Sequence, residues 1–436
     1  MVARRTARDL RNENRFEILH ALFERGPSTR QELTRHTALS AATVATVITE
    51  FVVEEVLQIA TVEKNTVGRP YERLAINPAR GRIVGVDVAE TYLDATVFDM
   101  ALGVLGHAEV ALDEYQNDPQ YVVDGITRVV RAALDDAGIT DPETVLGAGV
   151  SLPGHVHPDA GVSVFAPNWD WKDVHIEELL EARLGMPVYV DNPLKAIAVA
   201  ELWFGAGRTA DSLAVVNLGT GVGVGVAIER GLIRGSANNA GEWGHTLLQL
   251  DGRPCRCGRR GCVEAYLGVH GLQVTLADIA PEHPALRAAG QSEFVQALAA
   301  GLAAGASGPG VGSGARAARG GSGVIDPALA ALVERTAHYL AAALADLVNL
   351  LDIPRLTLTG WTTRALAPWL VPAVRAELPG HVLPGSRQDL TVEASLVPGN
   401  PVAVGMAAFA LEQFLVTLGL AGPASSRPVR RREAQA

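Results

Sequence analysis

Cysteine, lysine and aromatic residues are all scarce in this chain of 436 residues, which holds three cysteines, three lysines and only 5% aromatics. Three cysteines cannot build a disulfide framework. All three fall within eight positions, at Cys255, Cys257 and Cys262, and that clustering speaks for a metal rather than for oxidation. With so few aromatics, the buried cores must be made mostly of Ala, Val and Leu. No uninterrupted apolar run approaches ~20 residues, which excludes a helical membrane span. The first twenty residues lack the apolar stretch of a secretion signal, so a cytoplasmic protein is expected. A hydrophobic share of 48% against 19% charged residues excludes a mainly disordered chain, and the length suggests about three folded units.

The net charge of −11 argues against a surface coated by nucleic acid, yet the charge is uneven. Residues 1–36 carry eight Arg against five acids, a balance of +3, which leaves −14 on the rest. This basic front end reads as three helices and a hairpin. Ile18, Leu19, Leu22 and Phe23 form the apolar stripe of a first helix that Gly26-Pro27 ends. Thr29 and Glu32 make a capping box for a short second helix through His36. Ser40 caps a third, in which Val44, Val47, Ile48 and Phe51 share a buried face. Val56–Val62 and Tyr71–Ile76, joined across Glu63–Thr66, read as a β-hairpin. That order is the order of a winged helix-turn-helix. The outward face of the third helix would present Ala41, Ala42, Thr43, Thr46 and Thr49 to thymine methyls and phosphates in a major groove. Arg30 and Arg35 on the second helix, with Lys64 and Arg69 around the wing, would grip the backbone of double-stranded DNA. The third helix lacks Arg, Asn and Gln, so bidentate base readout is not available from it. The same module also serves protein contacts elsewhere; the basic front end and the capped second helix favour DNA.

From Arg82 the texture changes. IVGVDVAETYLDATVFDM and VLGHAEVAL predict three strands, followed by a helix near 119–136 and the strand VLGAGVSLPG. A similar run begins again at LAVVNLGTGVGVGVAIERGLIRG, which suggests two related α/β lobes. Residues 302–324 are rich in Gly, Ala and Ser and predict a flexible loop; the tail 421–436 is expected to be disordered.

GEWGHTLLQLDGRPCRCGRRGCVEAYLG carries the sharpest chemical signal. His245, Cys255, Cys257 and Cys262 supply one imidazole and three thiolates, a closed tetrahedral set suited to structural Zn²⁺. Gly258 and Gly261 would let the short loop fold back on the ion. Four protein ligands leave no open position, so such a metal shapes a loop rather than activating water. The competing reading is three free thiols.

These residues resemble the ROK family (repressors, open reading frames, kinases) over about residues 13–415. GEWGH followed by CRCGRRGCVE matches its zinc motif, VNLGTGVGVGVAIERGLIRGSANNAGEWG is similar to its longer signature, and FAPNWDW is similar to its sugar-loop motif. The winged helix together with GRP at 68–70 resembles the xylose-repressor-like and N-acetylglucosamine-repressor-like branch. The resemblance implies a winged helix-turn-helix at 1–78 followed by an actin-like, two-lobed sugar-kinase body. Its first lobe would span 79–200, completed by about 396–420. The second would span 201–395 and hold the zinc motif. It further implies that Asn168, Asn192, Glu242, His245 and Glu264 contact a sugar, His245 using one ring nitrogen for zinc and the other for the ligand. A small sugar effector, operator DNA and a homodimer or dimer of dimers are the implied partners, with no membrane.

The departures from the family's kinases decide the expected function. Those kinases read E-N-D-A-N after the sugar loop, and the Asp is their general base; here the run is Asp191-Asn192-Pro193-Leu194-Lys195, and proline accepts no proton. Their phosphate loop D-x-G-G-T-K is here Asp87-Val88-Ala89-Glu90-Thr91-Tyr92, without either glycine. Their Gly-Gly at the nucleotide pocket is here Gly360-Trp361. No catalytic residue is expected. The reading is a sugar-responsive transcriptional regulator, a repressor of carbohydrate genes with an inactive kinase-like sensor body. The alternative is an ATP-dependent sugar kinase carrying a DNA-binding module.

Overall fold

The N-terminal module of the computed structural model, which describes residues 7–63, 71–89, 91–113, 116–166, 169–306 and 325–419, runs α1 (Ala7–Arg25), α2 (Arg30–Thr37), α3 (Ala41–Val53), β1 (Leu57–Glu63) and β2 (Tyr71–Ile76). Local chemistry sets these limits. The Thr29 hydroxyl accepts the Glu32 N–H while the Glu32 carboxylate accepts the Thr29 N–H, a closed capping box at the start of α2. Ser40 takes the Thr43 N–H at the start of α3. Val44, Val47, Ile48 and Phe51 are buried, as are Ile18, Leu19 and Leu22 of α1, and α1 and α2 both pack on α3. The Glu50 carboxylate accepts hydrogen bonds from Arg11 and from Arg15 Nε at 2.8 Å, bracing α3 on α1. β1 and β2 pair antiparallel from Leu57↔Ile76 to Glu63↔Tyr71.

The chain divides into two compact units. The first holds residues 1–209, 230–239 and 397–436, the second residues 210–229 and 240–396. In the first, the winged module leads into β3 (Arg82–Val88), β4 (Tyr92–Asp99), β5 (Val104–Ala111), α4 (Pro119–Asp136) and β6 (Val145–Ser151). A small antiparallel sheet follows, β7 (His155–His157), β8 (Val162–Ala166) and β9 (Trp171–Val174), then α5 (Ile176–Leu184), β10 (Val188–Asp191) and α6 (Pro193–Phe204). The main sheet is ordered β10-β6-β3-β4-β5. β3, β4 and β5 are antiparallel, while β6 runs parallel to both β3 and β10. The alternation read in the sequence therefore becomes three strands, and Val122, Val123, Ile126, Val129 and Val130 form the buried stripe of α4. The last described helix, α12 (Pro401–Thr417), returns to cross β3 and β6 and to pack along α6. The approach is close. A side chain on Gly85 would place its Cβ 1.9 Å from the Ala403 carbonyl oxygen, so only glycine fits there.

In the second unit, β11 (Leu213–Leu218) and β12 (Val222–Ile228) form an antiparallel hairpin; β13 (Gly231–Leu232) lies in the 230–239 segment of the first unit. The unit continues through α7 (Glu264–Leu267), α8 (Val269–Ile279), α9 (Gln291–Ala306), α10 (Pro327–Leu351), β14 (Arg355–Thr359), α11 (Trp361–Glu377) and β15 (Thr391–Ala394). β11 pairs parallel with β14, and β14 with β15. A hairpin followed by parallel strands repeats the scheme of the first unit, as the two similar runs of sequence lead one to expect. Within the segment expected to be a loop, residues 302–306 instead complete α9, because their alanines and leucine extend its helical run. Residues 307–324 and 420–436 lie outside the described residues. Among the described residues, no single helix is long and apolar enough to cross a membrane.

Candidate functional site

β10 delivers Asp191 and Asn192 to the start of α6. Asp191 is buried, and its carboxylate is held by Arg234 Nη1 at 2.6 Å, Asn238 Nδ2 at 3.0 Å and the Asn192 N–H at 2.8 Å. The Arg234 guanidinium and the Asn238 amide thus tie Asp191 to the segment that carries them. Asn192 is the N-cap of α6. Its Oδ1 accepts the Leu194 N–H at 2.9 Å, and its Nδ2 donates to the Gly154 carbonyl at 2.7 Å. Pro193 occupies the first helical position, where a missing N–H costs nothing. Arg234 and Asn238 were not among the residues the sequence singled out. No short-range motif points to them, since they meet Asp191 across more than forty positions. Asn168 lies outside the described residues.

Asp87 ends up fully enclosed. Burial pushes its carboxyl above the usual carboxylate range. Asn400 Nδ2 at 3.0 Å, the Tyr92 hydroxyl at 3.0 Å and the Ser151 hydroxyl at 3.3 Å all donate to it. Tyr92 thus hydrogen-bonds the Asp of the would-be phosphate loop; Glu90 lies outside the described residues. In the second unit, the Asn217–Gly221 turn is backed by the Trp361 indole. A Cβ added at Gly219 would lie 2.8 Å from Trp361 Nε1. The glycine turn and the indole therefore occupy adjoining space.

The cysteine loop also lies in the second unit. His245, Cys255, Cys257 and Cys262 bring one donor atom each to within 4.8 Å of one another. His245 Nδ1 is 3.7 Å from Cys255 Sγ, and Cys257 Sγ is 3.7 Å from Cys262 Sγ. Metal bonds of about 2.3 Å to sulfur and about 2.1 Å to nitrogen place tetrahedral donors roughly 3.6–3.8 Å apart. Those two pairs thus stand at the spacing of a one-ion site, and the donor set fits a metal. Gly261 turns the loop at φ +77°, while the Cys255 N–H donates to the Arg259 carbonyl at 2.8 Å. Burial opposes ionisation of Cys257, but hydrogen bonds from the backbone and side chain of Arg259 bring it down to about 7. Arg259 also donates to the His245 carbonyl at 2.8 Å, tying both ends of the loop.

Glu264 belongs to this cluster. Its Oε2 accepts the Val222 N–H at 3.1 Å, and its Oε1 lies 3.7 Å from Cys255 Sγ. One carboxylate therefore joins the glycine turn to the thiol loop. Glu242 is exposed at the start of the short turn that carries His245. The structure brings His245 and Glu264 together around Cys255, with Glu242 three residues away in the chain.

In the winged module, Ala41, Ala42 and Thr46 lie on the exposed face of α3 and Thr43 is half-buried. The Thr46 and Thr49 hydroxyls donate back to the carbonyls of Ala42 and Ala45, so the face offers methyl groups and hydroxyl acceptors. Arg30 is exposed and pairs with Glu72 of β2 at 2.8 Å; Arg35 is exposed on the same helix. Lys64 and Arg69 lie outside the described residues.

The module is seated on α6. Trp203 packs against Phe16, His20 and Phe23 of α1, with ring centroids 5.9, 5.9 and 5.0 Å away. Arg230 Nη2 donates to His20 Nε2 at 2.8 Å. Burial first, then the charges of Arg230 and Arg208, lower His20 to about 4, so it is neutral near pH 7. Arg208 reaches the Glu24 carbonyl, and the Arg80 guanidinium lies 5.4 Å from the centre of the Phe414 ring of α12. Phe23 was legible as part of an apolar stripe; that the stripe's outer edge serves α6 was not.

The ROK family profile matches residues 83–413, and the chain belongs to the ROK family. It is 28% identical to the xylose repressor of Bacillus subtilis strain 168, over 60% of this chain and 67% of that protein. The chain spans about two thirds of the length of the curated repressors it matches. It is 33% identical to the glucokinase of Streptomyces coelicolor over 44% of this chain and 58% of that enzyme. Its fold is that of a solved ROK family transcriptional regulator described as a homologue of the E. coli MLC protein. That match has a TM-score of 0.73 and 21% identity, and covers 94% of this chain and 99% of that one.

Proposed function

We propose that this protein is a sugar-responsive DNA-binding repressor of carbohydrate uptake or catabolism genes, with a kinase-like body that senses sugar without phosphorylating it. The observation that carries this reading is the seat of α1 on α6. Asn192, a position the family resemblance assigns to the sugar, caps one end of α6. Trp203, which packs on the winged module, stands at the other. α6 is itself held in register by α12. A displacement at the cap is thereby transmitted along a packed helix to the DNA-binding module. A sugar shifts the DNA-binding equilibrium only by its differential affinity for two states; a hundredfold preference amounts to about 2.7 kcal/mol.

In this reading Glu242, His245 and Glu264, with Asn192 and Asn168, hold sugar hydroxyls. Carboxylates and amides discriminate hydroxyl stereochemistry by leaving buried partners unpaired when it is wrong. Zn²⁺ is the ion assigned to His245, Cys255, Cys257 and Cys262, since three thiolates and an imidazole suit it. When bound it fixes the loop, and His245 offers the ligand its remaining ring nitrogen. On the DNA side, Ala41, Ala42, Thr43 and Thr46 meet base edges while Arg30, Arg35, Lys64 and Arg69 meet phosphates. A homodimer or dimer of dimers places two winged modules on two half-sites. A repressor of this kind works in the cytoplasm, where its operator is.

Three features support lost phosphoryl transfer. Pro193 offers no base, Tyr92 hydrogen-bonds Asp87, and Trp361 crowds the glycine turn. The test is a paired experiment on the full chain with xylose, glucose and N-acetylglucosamine. With ATP and Mg²⁺, no sugar is expected to yield ADP above background. One of them is expected to release operator fragments selected from genomic DNA. The similarity to a glucokinase favours the second reading, a kinase carrying a DNA-binding module, and turnover at ordinary kinase rates would establish it instead.

A further inference from the structure

A second group of metal-ligating side chains lies apart from the cysteine loop, where α10 passes the end of α11. His338 Nδ1 is 2.6 Å from Glu377 Oε1, and His381 Nε2 is 3.5 Å from the same oxygen. The two imidazoles meet edge to face with centroids 5.7 Å apart, and the three donor atoms all lie within 4.8 Å of one another. We propose that His338, Glu377 and His381 form a binding site for one borderline divalent transition-metal ion of the Zn²⁺, Co²⁺ or Ni²⁺ class.

The geometry suits an ion. Bonds of about 2.0–2.1 Å to nitrogen and oxygen place neighbouring ligands roughly 3.0 Å apart in an octahedron and roughly 3.4 Å apart in a tetrahedron. The observed 2.6 and 3.5 Å fall on either side of that range, so small side-chain rotations bring all three donors onto one centre. Two imidazoles and a carboxylate prefer borderline ions to Mg²⁺ or Ca²⁺, which seek all-oxygen shells.

The ligands stand on fixed backbone. Ala337 and Leu340, on either side of His338, are buried in the core of the second unit, as are Leu378 and Val382 beside Glu377 and His381. Asn349 of α10 locks the turn by donating to the His381 carbonyl at 3.2 Å and accepting the Leu383 N–H at 3.1 Å. The donors themselves stay accessible, with 57% of the His338 side chain and 37% of Glu377 exposed, so an ion can enter. An exposed His–Glu pair contributes little to stability on its own, and these three groups are poorly explained as a strut. Three protein ligands leave positions for water, unlike the closed set of the thiol loop.

Cobalt separates the two sites, because thiolate ligands give an intense charge-transfer absorption and imidazole–carboxylate sites do not. The full chain is loaded with Co²⁺ and bound metal is counted by elemental analysis after desalting. The expected result is one equivalent beyond that accounted for by the thiolate band. That equivalent should be lost in His338→Ala, His381→Ala and Glu377→Gln, and retained in Cys257→Ser. Circular dichroism confirms folding, and Glu377→Gln keeps a hydrogen-bonding side chain at the site. Wild-type protein that binds only the thiolate equivalent would overturn the proposal. An extra equivalent that survives in the His338→Ala/His381→Ala double variant would overturn it equally.

Discussion

His20 is held neutral between an indole and two guanidinium groups, with its folded pKa at about 4 against an ordinary 6.5. Between those values the unfolded chain binds a proton that the folded chain refuses. The stability of the α1 seat is therefore fully present above pH 6.5 and lost as the pH falls towards 4, by up to about 3 kcal/mol. Thermal melting from pH 7 to 4.5 is expected to show a fall in Tm that His20→Gln flattens; parallel curves would remove His20 as the cause. At the thiol loop, Cys257→Ser removes one of four donor side chains whose donor atoms lie within 4.8 Å of one another. If the loop holds the proposed zinc, the expected effect is loss of that metal together with a weaker response to sugar, read by elemental analysis and by operator release in the same preparation. At this scale the sequence was informative where chemistry is local. The thiols and His245 lie within eighteen positions, and Pro193 speaks for itself. Tyr92 against Asp87, Arg234 on Asp191 and the turn of Glu264 towards Cys255 depend on how strands and loops meet, and neighbouring residues do not encode that.

Among the elements, those closed by their own end groups were legible. The box at Thr29–Glu32, the cap at Ser40 and the period of Val44, Val47, Ile48 and Phe51 mark α2 and α3 almost to the residue. The 302–324 segment was less so, because alanine and glycine together read either as a weak helix or as a loop, and α9 takes five of those residues. The relation of α1 to α6 was not legible. Nothing in the period of α6 marks Trp203 as a docking surface for a helix nearly two hundred positions earlier. The coupling role proposed for α6 predicts a separable phenotype. Trp203→Leu keeps an apolar side chain at a buried position and costs about 1–3 kcal/mol. Sugar affinity by calorimetry is expected to stay near wild type while sugar-driven release from DNA is lost. Equal loss of both would show that Trp203 supports the body rather than the connection.

For the molecule as a whole, charge decides how the proposed operator complex would be held. A net −11 repels a polyanion at long range, so the proposed association would rest on the basic front end and be strongly salt-dependent. Within that front end, Arg30 already spends charge on Glu72, whereas Arg35 stands exposed at the end of α2. Each phosphate contact contributes a little under one to the slope of log affinity against log salt. If Arg35 touches phosphate and the protein is the proposed dimer, Arg35→Ala removes two such contacts. The slope should then fall by about two, and affinity should drop for operator and for unrelated DNA alike, because phosphates carry no sequence. The opposite pattern is expected of Thr46→Ala: unchanged slope, and a loss confined to operator sequence, since a methyl and a hydroxyl read base edges rather than charge. Titrations of both variants from low to physiological salt, with operator and random duplexes side by side, distinguish grip from readout. An Arg35→Ala protein with the wild-type slope would place the phosphate contacts elsewhere on the module.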